Sequence, residues 1–401
     1  MDIKPLLSSL RRSPTGAILV ALQIALALAI VVNSMFIIVQ RVEKMNRDPG
    51  LDVANLFYVG FVPSDDRFKG EATMREDLAV LRGLPGVVDA TTVNGIPLSG
   101  GGSSTSLFTE PNEKGRRGDT NYFEVDEHGL ETFGVKLASG RDLDAAVVTK
   151  PVRNSSFSPP EILVTRDVAK ELFPDGSALG KTVYSGTSQP IRIVGIIENM
   201  HGSWPGWDKV GNVALFPVIA DETYARYMVR AKPGQRDAMM KAAEDALNKV
   251  DNGRVILKVR SLEYVVANSY ADDRAMTMYL VTVIVLLLGI AALGIFGLAA
   301  FNVSTRTKQI GTRRAVGARR TDILRYFLAE NWLITSVGVV AGCVLALLLG
   351  YWLSTTFQLP RLNRDYLVLG VVLLWTVSLL AALRPARRAS LVSPAIATRT
   401  V

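Results

Sequence analysis

Few residues in this 401-residue chain have the types and spacing that catalysis needs. The two histidines, His128 and His201, are far apart and show no metal-ligand spacing, so each is expected to be an ordinary surface or loop residue. The single cysteine, Cys343, sits inside an apolar run, and no intramolecular disulfide is possible. Asp175-Gly176-Ser177-Ala178-Leu179-Gly180-Lys181-Thr182 comes close to a phosphate-cradling loop. That loop needs four residues before its Gly-Lys-Thr, and the position that would fit carries Asp175 instead of glycine. No nucleophile–base pair, carboxylate dyad or ligand cluster stands out. The expectation is a non-catalytic chain with no cofactor or metal site of its own.

The spacing that does suggest work belongs to cations. Between two long apolar runs, Phe301 to Asn331 holds Arg306, Lys308, Arg313, Arg314, Arg319, Arg320 and Arg325 against only Asp322 and Glu330. A basic loop between two membrane spans is expected to face the cytoplasm. Gly311 and Gly317 bracket Thr-Arg-Arg-Ala-Val, a spacing that suits a short helix with a tight turn at each end. Arg313 and Arg314 are placed for charge-assisted hydrogen bonds to acidic groups on a partner. The plainer alternative is that the arginines only hold topology or bind anionic lipid, at about 1 kcal/mol each. Thr321-Asp322 is a candidate cap for the helix that enters the next span. Glu330 and Asn331, at the start of that span, need partners; Asn302 or an arginine of the loop would serve.

IGTRRAVGARRTDILRYFLAEN resembles the segment IGxRRAxGAxxxDIxxxFLxE of the MacB/FtsX-type ABC transporter permeases. RPARRASLVSPAIATR at the C-terminus resembles the same family's closing PAxxAxxxxPxxALR. In that family this loop is the seat of the ATPase subunit, so the resemblance implies coupling roles for Arg306, Gly311, Arg313, Arg314, Ala315, Gly317, Ala318 and Asp322. It implies a separate ATPase subunit as partner, with ATP and magnesium held there, and a homodimer or heterodimer of permeases in a bacterial inner membrane. A periplasmic adaptor is a further partner that the resemblance allows. One departure bears on coupling: the acidic residues that the family usually carries before Arg306 and Ile310 are here Thr305 and Gln309.

The elements that must hold this loop are legible in composition. Four long apolar segments predict an integral membrane α-helical protein with a large extracytoplasmic α/β domain between the first two spans. Residues 41–276 carry 29 basic and 33 acidic groups, whereas segments 1–15, 303–326 and 384–401 together carry 14 basic and two acidic. The net charge of +8 therefore reports topology, with both termini cytoplasmic, and not nucleic-acid binding. The predicted order is a cytoplasmic amphipathic segment (1–15), first span (16–40), exported domain (41–276), second span (277–302) and coupling loop (303–331). Third span (332–353), short turn (354–365), fourth span (366–383) and cytoplasmic tail (384–401) follow. Segment 1–15 reads equally as an interfacial helix or an unstructured basic anchor. The apolar run of the first span is too long for a cleaved signal peptide and reads as a retained anchor. Gly338, Gly342, Ala346 and Gly350 form a small-residue ridge, which suits either a dimer seam or packing within the bundle.

Within the exported domain two strand–helix–strand patterns, at 50–95 and 222–262, predict a split, ferredoxin-like α/β unit. Residues 96–221 read as a β-rich insertion and 263–276 as a helical stalk leading into the second span, stiff if the two form one continuous helix. Two functions from different classes remain. One is a transport-machine subunit that converts ATP hydrolysis in a partner into movement of the outer domains. The other is an FtsX-like regulator of a cell-wall hydrolase, or a lipoprotein-releasing permease. The length of the outer segment favours the transporter.

Overall fold

The computed structural model describes residues 14–149, 159–186, 189–221, 223, 225–250, 252–357 and 360–394. The segment expected as an interfacial helix or basic anchor therefore lies almost wholly outside the described residues, as does the end of the tail. Two compact units are present: Asn46–Asp272, and the long helices that flank it in sequence.

The first unit is built around a split sheet. Strand β1 (Leu56–Pro63), helix α2 (Glu71–Arg82) and strand β2 (Val87–Val93) supply one half; β10 (Arg226–Ala231), α5 (Arg236–Lys249) and β11 (Arg254–Ser261) supply the other. The sheet order is β11-β1-β10-β2, with every neighbour antiparallel. Strands of the two halves alternate, so neither half closes the sheet alone. On one face Phe57, Val59, Phe61, Tyr227 and Val229 pack against Met74, Leu78 and Leu81 of α2 and Ala243 and Leu247 of α5. On the other face Leu56, Tyr58, Met228 and Val93 meet Phe123, Phe133, Val194 and Leu215 of the insertion. Burial on both faces explains why β1 reads as a continuous apolar run, LFYVGF, where a half-exposed strand would alternate. Each such aromatic or aliphatic side chain contributes roughly 1.5–3 kcal/mol on leaving water. A buried polar knot joins the halves: Tyr227 Oη donates to Asp77 Oδ2 at 2.7 Å, and Arg254 Nε lies 2.8 Å from the same oxygen.

The insertion carries β3 (Ser103–Glu110), β4 (Lys114–Val125), α3 (Gly129–Phe133), β5 (Leu137–Gly140), β6 (Glu161–Thr165), α4 (Arg166–Leu172), β7 (Thr182–Ser185), β8 (Pro190–Ile197) and β9 (Val213–Pro217). The sheet runs β5-β8-β6-β9-β4-β3-β7, and β7 pairs back onto β8, closing a ring around Leu107, Ile162, Val164, Val183, Ile193 and Ala214.

The second unit holds α1 (Pro14–Met45), α7 (Ala271–Thr305), α8 (Thr307–Ala315), α9 (Arg320–Phe357) and α10 (Arg364–Ser390). Among the described residues, α1, α7, α9 and α10 are long and apolar enough to cross a membrane. The stalk and the second span do not form one continuous helix. Helix α6 (Leu262–Ser269) is capped by Ser261, which accepts from the Tyr264 N–H, and ends at the buried Tyr270, so α7 begins afresh at Ala271. The last helix does not stop at Arg384 but continues through Pro385 to Ser390. The small-residue ridge lies against α1. A Cβ at Gly338 would come within 2.6 Å of Ala21 O, one at Gly342 within 2.9 Å of Leu28 Cβ, and one at Gly350 within 3.1 Å of Asn33 Oδ1. Ala346 is fully buried, and its carbonyl accepts from Asn33 Nδ2 at 3.1 Å.

Candidate functional site: the loop between the second and third long helices

Helix α7 runs to Thr305, and Arg306 leaves helical geometry with φ −107° and ψ 13°. Its guanidinium turns inward, where Nη1 donates to both carboxylate oxygens of Glu330 at 2.9 and 3.1 Å. Glu330 is 2% exposed, so this is a buried charge with its counter-charge in place. An arginine of the loop, not Asn302, thus partners it. Asn331 takes Ser378 of α10 instead, donating to its hydroxyl at 2.8 Å.

Arg306 precedes α8, and Gly311 lies inside that helix, buried, where a turn was expected. Buried within the helix, this glycine does not make a turn. Gly317 does terminate the segment, at φ 104°, a backbone geometry that suits glycine. Helix α9 follows, and Asp322 in its first turn accepts from the Arg319 N–H at 3.0 Å, which is half of a capping box. Ile310, Ile323, Phe327, Ala386 and Ala389 form a small core beneath, joining α8, α9 and the end of α10.

Above that core is an open cup of about 490 Å³ lined by Thr312, Arg313, Val316, Ala318, Asp322, Ile323 and Tyr326. Arg313 lies with its guanidinium carbon 4.9 Å from the Tyr326 ring centroid, a cation–π contact that holds the charge at the rim. Val316 is 86% exposed, an apolar tip on a basic segment. Arg314 is half-buried, and its Nε has no hydrogen-bond partner among the described residues. Of the residues singled out from sequence, Arg313, Ala318 and Asp322 line the cup, while Arg314, Ala315 and Gly317 adjoin it in sequence. Arg306 is half-buried against Glu330, apart from it, and the Gly338–Gly350 ridge lies against α1. Tyr326, Val316, Thr312 and Ile323 were missed; the signal available was Val316, the one large apolar residue amid charges, and Tyr326, one turn beyond Asp322.

The other sequence candidates separate. Lys181 and Thr182 lead into strand β7, where a phosphate loop would open a helix, and Gly180 gives its N–H to Ile193 O. His128 Nδ1 is 2.8 Å from Asp89 Oδ2. His201, expected to be a surface or loop residue, lies in a loop and is 6% exposed; burial pushes its pKa down and favours the neutral ring. Its burial follows from the loop folding under Pro49, whose carbonyl takes the His201 N–H. No group of three or more possible metal ligands occurs among the described residues. The split domain also holds a cavity of about 500 Å³ that Tyr122, Glu124, Asp221 and Arg226 help to line. Burial first, and the Asp221 carboxylate second, push the Glu124 carboxyl up to about 7.

Residues 17–249 match the family described as MacB-like periplasmic core domain, and residues 281–394 match FtsX-like permease C-terminal. A macrolide export ATP-binding/permease protein MacB of Chromobacterium violaceum is 26% identical over 276 residues, covering 64% of this chain and 42% of that protein. MacB 1 of Aeromonas hydrophila is 27% identical over 347 residues, covering 82% and 49%. An uncharacterized ABC transporter permease, YvrN, of Bacillus subtilis is 25% identical over 289 residues, covering 69% of each chain. The chain thus spans less than half the length of these two MacB proteins.

Proposed function

We propose, for a chain that belongs to the MacB-like ABC transporter permease family, that the cup beside α8 is the seat of a separate ATPase subunit. ATP and magnesium would be held in that partner. Its closure would be felt by α8 and passed to the long helices and to the α/β domain, which lies outside a bacterial inner membrane with both termini inside. Two such chains, or this chain and a second permease, would pair; lipid would cover the remaining apolar faces, and a periplasmic adaptor would extend the path. Export or mechanical transmission is the role that fits, because the described helices leave little room for a wide membrane path. The observation that carries the reading is the cup itself. An apolar tip 86% exposed, flanked by Arg313 on an aromatic shelf, is costly to leave in water and matches a partner surface.

The test is copurification of the ATPase with the full chain from membranes. Arg313→Glu with Arg314→Glu should lower it at least about tenfold, since each charge-assisted bond is worth roughly 1.5–3 kcal/mol. Arg314 is half-buried, so Arg313→Glu alone and Val316→Asp provide milder versions. Copurification unchanged in all three would make the loop a lipid anchor.

A further inference from the structure

The cavity that Glu124 helps to line belongs wholly to the α/β unit, Asn46–Asp272. It opens where β4 of the insertion returns past the split sheet, and the Glu124 N–H is given there to Asn94 Oδ1 at 3.1 Å. Its volume of about 500 Å³ falls in the range of small-molecule sites, about 300–1,000 Å³. One wall comes from the segment 94–103, which has no ionisable side chain. That segment is anchored: the Leu98 and Gly100 N–H groups go to the Gly202 and Ser203 carbonyls at 3.0 and 2.8 Å, and Ser103 O accepts from the buried Asn121 Nδ2 at 2.8 Å. Nothing stands within 4 Å of the point where a Gly101 side chain would begin, so the rim is open.

The opposite wall carries the charge. Tyr122 and Glu124 come from β4, Asp221 from the stretch before β10, and Arg226 from β10 itself. The Tyr122 ring is stacked on Phe216 with centroids 4.9 Å apart, which fixes the phenol near the Glu124 carboxyl. Arg226 gives an Nη1 proton to the Ala225 carbonyl at 2.6 Å. The groups that act on Glu124 are the Asp221 carboxylate and the Asp221 N–H, with burial, and no cation is among them. Glu124 thus presents a carboxyl to an open space, beside a second carboxylate and without a cation of its own among the described residues.

We propose that this cavity binds a primary ammonium group, held by the Glu124 carboxylate with Asp221 beside it and with its carbon chain along the Tyr122 ring. An ammonium brings three N–H donors and the charge that makes their bonds to carboxylates strong. The aromatic face adds a cation–π contact. Burial and Asp221 push the Glu124 carboxyl up to about 7, so at pH 7 the empty site holds about half a proton, which the arriving cation expels. A free amine and the lysine side chain of a peptide offer the same chemistry, and the probes below separate them. Nothing in the site depends on the docking role of the cup.

The experiment is calorimetric titration of the full chain in phosphatidylcholine nanodiscs with 1,5-diaminopentane, with Nα-acetyl-lysine amide, and with 1,5-pentanediol as the uncharged control. At pH 8 at least one of the two amines should bind and the diol should not. Binding of the diamine alone identifies a free amine as the ligand, and binding of the lysine derivative identifies a peptide. Glu124→Gln should weaken amine binding at least about tenfold, as should lowering the pH to 5.5 for the parent. At pH 7, titration in two buffers of different ionisation heat should show about half a proton released per amine by the parent and none by Glu124→Gln. Asp221→Asn is a second variant, expected to weaken binding at least about threefold, and the melting of each variant checks that it is folded. Failure of both amines to bind, diol binding as tight as theirs, amine affinity unchanged by both substitutions, or proton release that persists in Glu124→Gln overturns the proposal.

Discussion

At the scale of single residues, Glu124 is the clearest site of a pH dependence. Its carboxyl is pushed up to about 7 in the folded chain, from an ordinary 4.5, because burial and Asp221 disfavour the anion more than the Asp221 N–H favours it. The folded state therefore binds this proton more tightly than the unfolded one. Its stabilising effect is complete below the unfolded value and is lost as pH rises through about 7. The loss amounts to up to about 3 kcal/mol. Glu124→Gln keeps the shape and removes the charge. The variant should melt with the parent at pH 4.5 and several degrees above it at pH 8, followed by tryptophan fluorescence of the full chain. Equal melting at both pH values would show that the carboxyl is solvated. A second residue-scale test lies in the knot at Asp77. Arg254→Met leaves a buried carboxylate without its cation and should cost roughly 3–5 kcal/mol by denaturant unfolding, a loss that a mere surface pair would not produce.

At the scale of elements, the contact of α9 with α1 is decided by the absence of side chains. Gly342 has backbone and Cβ atoms of Ala25 and Leu28 within about 3 Å of where its own Cβ would stand. Nothing approaches within 4 Å of the corresponding point at Gly289 on α7. Gly342→Leu should therefore lower the melting temperature in nanodiscs, at a cost of about 1–3 kcal/mol or more, while Gly289→Leu leaves it nearly unchanged. Equal effects would mean that α9 and α1 do not meet along the ridge. Because α1 occupies this ridge, a dimer seam has to use another face.

At the scale of the whole molecule, charge partition predicts topology. A cysteine at Ser103 in the α/β domain should react with an impermeant thiol reagent in outer-permeabilised cells. One at Thr312, on the rim of the cup, should react only after lysis. The opposite pattern would reverse the orientation and remove the cup from reach of ATP-driven partners.

What was legible in the sequence is what local periodicity and composition carry. The run Val87–Val93 is the strand that its pattern predicts, Met74, Leu78 and Leu81 form the buried stripe of α2, and the four apolar runs lie within the four long helices. These follow from the alternation of strands, the turn of helices and the length that a bilayer demands. The split sheet was legible too, because each half repeats strand, helix and strand. Partners far apart in the chain were not. Asp77 with Arg254, Asp273 with Arg41 and Arg306 with Glu330 are joined only when helices and strands return past one another. Gly311 carries the same residue type as a turn glycine, and only the structure shows it buried inside α8. His201 is a loop residue, as expected, and only its contact with Pro49 and the surrounding fold buries it. The sequence determined which stretches become helix, strand and span, since those depend on neighbours a few residues away. Tertiary structure decided which buried charges meet and which face of the loop is left open, since those depend on where distant segments come to rest.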